Sequence, residues 1–79
     1  VTSPSPIQQI IDLRLILHLN LAACYFKLIN YDQALQNAHQ AVTLDPENTK
    51  ALFRRGQAYL AKNDLDRAKD DLEKVKERM

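Results

Sequence analysis

Glycine is almost absent from this chain: Gly56 is the only one in 79 residues. A phosphate-cradling loop needs several glycines so that backbone N–H groups can converge on an anion, and none can be built here. Cysteine is equally scarce. Cys24 stands alone, so no internal disulfide forms, and a reducing compartment, cytosolic or nuclear, is the simpler expectation. Charge of one sign is missing as well. Eleven basic and ten acidic side chains leave a formal net charge of +1, which gives no general pull toward nucleic acid or an acidic membrane surface. No signal peptide is visible, and the apolar stretch from Ile10 to Leu19 is interrupted by Asp12, Arg14 and His18. Those interruptions speak against a membrane span.

The alternation of β-branched residues that marks strands is also missing, whereas Ala, Leu, Lys, Gln and Glu are plentiful. The expected class is all-α. Residues 1–6 read as a linker, with Ser5 suited to cap a helix and Pro6 to its first turn. Helices are expected from Ile7 to Leu28, Tyr31 to Leu44, Thr49 to Lys62 and Leu65 to Met79. Asn30 breaks the first pattern, Pro46 the second, and Asn63-Asp64 the third, with Asn48 and Asp64 as N-caps. Turns this short make neighbouring helices antiparallel.

The pattern then repeats. At an offset of 34 residues Ala22 matches Gly56, Tyr25 matches Tyr59, Asp32 matches Asp66 and Ala34 matches Ala68. A fixed period of this length marks a helical repeat. With His18, Leu21, Ala22, Tyr25, Ala34, Ala38, Ala41 and Pro46 in one copy, the chain resembles tandem tetratricopeptide-repeat (TPR) motifs. The second copy reads Leu52, Arg55, Gly56, Tyr59, Ala68, Leu72 and Val75. His18 stands where the family usually has Trp, Ala38 where it has an aromatic, and Arg55 where it has Leu. The repeats run over about residues 15–48 and 49–79, within a partial TPR domain spanning 7–79. The resemblance implies antiparallel pairs stacked as a right-handed superhelix, whose inner groove is lined by the leading helix of each pair and holds an extended peptide.

Lys50 and Arg54 are four residues apart and share one helix face. Asn20 is the repeat equivalent of Arg54. Two cations and an amide facing one groove suit a terminal carboxylate with a neighbouring acidic side chain. This set is similar to the carboxylate clamp of co-chaperone TPR domains, which bind the Glu-Glu-Val-Asp tail of the ninety- or seventy-kilodalton heat-shock chaperones. Three of that clamp's five residues map onto Asn20, Lys50 and Arg54. In the family the other two stand on a preceding repeat that has no counterpart in this sequence. Ala23, Phe26, Lys27 and Gln57 are the candidates for lining the same groove. The runs from Leu19 to Cys24 and from Asn48 to Gly56 look most like the C-terminal TPR region of FKBP-type or cyclophilin-type immunophilins. That resemblance implies a module without activity of its own, in a protein that also carries a prolyl isomerase domain.

Catalysis has little to build on. Cys24 reads as a small core residue, with His18 on another helix face and therefore no base beside it. His18 occupies a packing position, and neither it nor His39 has a partner at zinc-site spacing. Tyr25 and Tyr59 read as core rather than as a nucleic-acid platform. Asp70 and Asp71 diverge around their helix, and the acids near them, interleaved with Arg67, Lys69 and Lys74, read as a solvated face. Arg55 is expected to serve packing or solubility. No catalytic residue, metal or cofactor is expected. A rival to peptide binding is a generic TPR scaffold or a self-associating module, because Ile10, Ile11, Leu13, Leu15, Ile16 and Leu17 are apolar on more than one side of the first helix. The last helix instead shows one narrow stripe, Leu65, Ala68, Leu72, Val75 and Met79, as a capping helix needs.

Overall fold

The computed structural model describes residues 3–78. Four helices follow in order: α1 (Pro6–Lys27), α2 (Tyr31–Leu44), α3 (Thr49–Ala61) and α4 (Leu65–Glu77). The expected starts of α2, α3 and α4 hold to the residue, and α1 begins at Pro6, one residue early. Met79 and the first two linker residues lie outside the described residues.

Each start has a local cause. Ser5, Asn30, Asn48 and Asp64 each accept a hydrogen bond from the backbone N–H three residues on. That satisfies one of the orphan donors at each helix start. The ends of the two leading helices are also built alike. Asn30 N–H donates to the Tyr25 carbonyl at 2.9 Å and Ile29 N–H to that of Phe26 at 3.0 Å. Thirty-four residues later Asp64 donates to Tyr59 at 2.9 Å and Asn63 to Leu60 at 3.0 Å. This double bond pattern requires a left-handed residue just past the helix, and Ile29 and Asn63 have φ of 62° and 64°. The last capping residue of one helix is the N-cap of the next, so each pair turns within three residues.

Helix α1 packs along α2, α3 along α4, and α2 along α3, with a smaller contact between α1 and α3. The core is largely alanine: Ala22, Ala34, Ala38, Ala41, Ala51, Ala58 and Ala68 are buried, joined by Leu19 and Leu52. Small residues let helix axes approach closely. At Gly56 a methyl would lie 2.9 Å from Leu72 Cδ2 and 3.4 Å from Asp71 Cβ, so the α3–α4 contact is closer there than alanine permits.

Two expectations about burial are corrected. Cys24 is exposed rather than core, because it lies on the side of α1 turned away from α2 and α3. It shares that side with Leu17, seven residues earlier. The repeat equivalents of these two, Ala58 and Ala51, are fully buried, since α3 has a helix on each side and α1 does not. Tyr25 and Tyr59 are half-buried. Among the described residues of the α4 stripe only Ala68 is buried, with Leu72 and Val75 half-buried and Leu65 exposed.

Ile10, Leu13, Ile16 and Leu17 are likewise more than half exposed. By length and composition α1 is apolar enough to cross a membrane, its most apolar 18-residue window having a mean hydropathy of 1.2. Asp12 and Arg14 do not by themselves exclude a span, contrary to the expectation from sequence. In this fold one side of α1 packs on α2 and α3 and the opposite side is uncovered.

Candidate functional site: the leading-helix wall

The charges are segregated by helix. α3 carries Lys50, Arg54 and Arg55 and no acidic residue, and α1 beyond Asp12 carries Arg14 and Lys27 unopposed. α4 instead alternates Asp66, Asp70, Asp71, Glu73 and Glu77 with four cations. A potential on the leading-helix side is therefore not cancelled locally, whereas α4's is.

Within that setting Lys50 and Arg54 stand one turn apart on α3, with Gln57 three residues further on the same face. Asn20 and Ala23 are the repeat equivalents of Arg54 and Gln57, and Lys27 follows one turn on along α1, which touches α3. Asn20, Lys27 and Lys50 are exposed, and Ala23, Arg54 and Gln57 are half-buried. Among the described residues neither Lys27, Lys50 nor Arg54 has a carboxylate partner. Arg54 Nε is moreover buried with no acceptor. Arg54 is therefore a cation that no carboxylate among the described residues engages. Phe26 is placed differently. Its ring lies 5.2 Å from that of Tyr31 at a 57° tilt, which commits it to the α1–α2 turn.

Arg55, one residue on, behaves in the opposite way to Arg54. Its Nε and Nη2 donate to Asp71 Oδ2 and Oδ1 at 2.7 and 2.8 Å. Asp71 is only 2% exposed. This planar fork is the strong form of the ion pair. The hydrogen bond to Asp71 raises the guanidinium pKa above its ordinary value, against the lowering effect of burial. Arg55 also lies over the Tyr59 ring at 5.8 Å. Neither solubility for Arg55 nor a solvated face for Asp71 describes them: they form a buried bridge between α3 and α4. The signal available in sequence was Arg55 itself, a charged residue at a position where the resembling family has Leu.

The equivalent of Asp71 in the first pair is Asn37. Its Oδ1 lies 2.9 Å from His18 Nδ1, and its Nδ2 donates to the Gln33 carbonyl at 2.9 Å. His18 thus packs between α1 and α2, as expected, with a polar partner. A concavity of about 640 Å³ lies over α2 between His18, Gln33, Gln36, His39, Gln40 and Tyr59, and another of about 220 Å³ lies beside Arg55, Arg67 and Lys74. The expected clamp residues line neither. An extended peptide needs an open wall rather than an enclosed cavity, so concavity alone does not decide the site.

A profile of the tetratricopeptide repeat matches residues 30–78, more than half of the chain. The chain belongs to the tetratricopeptide-repeat family. It is 52% identical over 63 residues to the peptidyl-prolyl cis-trans isomerase FKBP4 of Bos taurus, covering 80% of this chain and 14% of that protein. It is 47% identical over 73 residues to FKBP4 of Mus musculus, covering 92% of this chain and 16% of the relative. With peptidyl-prolyl cis-trans isomerase FKBP42 of Arabidopsis thaliana it shares 45% over 58 residues, 73% of this chain and 16% of the relative. The chain thus spans about a sixth of the length of the curated relatives it matches. It is a TPR helical domain, a protein-interaction unit rather than a catalytic fold.

Proposed function

We propose that this TPR domain is a co-chaperone's peptide-binding module. It grips the acidic C-terminal tail of cytosolic heat-shock chaperones, with Lys50 and Arg54 on the terminal and side-chain carboxylates and Asn20 on the peptide backbone. The observation that carries the reading is the contrast between adjacent arginines: Arg55 is saturated by Asp71, while Arg54 keeps a buried donor without an acceptor. Lys27 and Gln57 extend the same wall, and the small side chain of Ala23 leaves room for a peptide. Likeness to FKBP4 and FKBP42 supports a longer protein that pairs this module with a peptidyl-prolyl isomerase domain, and the lone cysteine favours a reducing compartment, the cytoplasm or the nucleus.

Charge-assisted contacts contribute roughly 1.5–3 kcal/mol each where water is excluded, and less at an exposed site such as Lys50. Binding in the micromolar range or weaker is expected, about −8 kcal/mol at most. Calorimetric titration with a Met-Glu-Glu-Val-Asp peptide and its C-terminally amidated form tests this. The reading requires binding that disappears on amidation and in Lys50→Ala. Equal binding of both peptides, or no effect of Lys50→Ala, contradicts it.

A second reading, self-association through α1, is favoured by the uncovered stripe of Ile10, Leu13, Ile16 and Leu17. It predicts a mass that rises with concentration and falls on Leu13→Glu and Leu17→Glu, measured by sedimentation.

A further inference from the structure

Both histidines border the concavity over α2, but their hydrogen bonds follow opposite logic. Asn37 Nδ2 donates to Gln33, which turns Oδ1 toward His18. Because Oδ1 only accepts, His18 Nδ1 carries the proton in that 2.9 Å contact. A second proton, on Nε2, leaves the bond intact. His39 is the reverse case. Its Nδ1 lies 3.2 Å from Arg55 Nη1, and a guanidinium only donates, so this nitrogen must be the unprotonated acceptor. A proton placed there removes the acceptor and sets imidazolium against guanidinium.

Arg55 is not free to turn aside, since its other two contacts are the fork on buried Asp71. The groups facing His39 offer no compensating anion. They are Arg55 and Tyr59 on α3 and, across the concavity, His18 on α1. Asp71 on α4 is already taken by Arg55, and the adjoining Asp70 sits among Arg67 and Lys74. On α2 itself the only acid, Asp32, is exposed and paired with Lys62.

We propose that His39, Arg55 and Asp71 form a pH-sensitive tie between the two helical pairs, closed while His39 is neutral and released when it is protonated. The tie runs from α2 through α3 to α4 at the exposed edge of the α2–α3 contact, and so links the second pair to the first. It stands apart from what the leading helices bind.

Thermal unfolding of the chain at about pH 7.5 and about pH 5.5 tests the tie. His39→Gln keeps an acceptor that cannot become charged, and His18→Gln controls for the other imidazole. The unsubstituted chain and His18→Gln should each lose roughly 2–4 °C more on acidification than His39→Gln does. Equal losses in all three overturn the proposal. Imidazole nitrogen shifts supply an independent reading: at neutral pH His39 should carry its proton on Nε2 and His18 on Nδ1. A His39 proton on Nδ1 overturns the tie whatever the melting data show.

Discussion

Ile29 and Asn63 occupy the same place in the two helical pairs, one residue past the cap of the leading helix, and both adopt a left-handed backbone. Asparagine tolerates that conformation. A β-branched residue does not, at a cost of roughly 1–2 kcal/mol. The same kind of contrast recurs deeper in the pairs. Leading and trailing helices meet through a neutral His18–Asn37 contact in the first pair and through the charged Arg55–Asp71 fork in the second. They approach over Ala22 in one and Gly56 in the other. The period thus conserves shape, while the chemistry that closes each pair is chosen locally.

Substitutions at these matched positions should separate the two pairs. The largest effect is expected at the charged fork. Asp71→Ala leaves the guanidinium of Arg55, whose side chain is 15% exposed, without its partner, and should cost about 3 kcal/mol in urea unfolding. The matched change Asn37→Ala removes only a neutral contact and should cost about 1 kcal/mol. Equal costs would show that the two contacts do the same job. Next comes the turn. Ile29→Asn relieves the backbone without losing burial, since Ile29 is 71% exposed, and should stabilise the chain by about 1 kcal/mol. Asn63→Ile should destabilise by a similar amount, and a melting temperature that moves the same way for both would break the comparison. Smallest is the helix contact. Gly56→Ala forces Leu72 to shift but improves helix propensity, so the net loss should be about 0.5–1 kcal/mol by chemical denaturation.

Much of this architecture could be read from the residues. Ser5, Asn48 and Asp64 act as the expected caps because capping depends on neighbours in the chain. The buried alanines 22, 34, 38, 41 and 68 follow from the repeat, whose period fixes which helix faces meet. What was misread depends on neighbours in space. Asp71 looks like one more acid on a charged helix until Arg55 is brought across from α3. Cys24 looks like core by its apolar company, but no helix covers its side of α1. The spacing and the family resemblance single out Asn20, Lys50 and Arg54 as candidates, whereas the buried donor on Arg54 emerges only from the packing around it.

The claim that the leading-helix wall reads a carboxylate turns on Arg54. The most direct measurement is the side-chain Nε–H resonance of each arginine in a nitrogen-labelled chain as Met-Glu-Glu-Val-Asp is added. Arg54 should shift strongly with saturation, while Arg55, already held by Asp71, stays in place, and the amidated peptide should leave both unchanged. A peptide that binds yet leaves Arg54 unmoved, with perturbations collected on α2 or α4, would contradict the account.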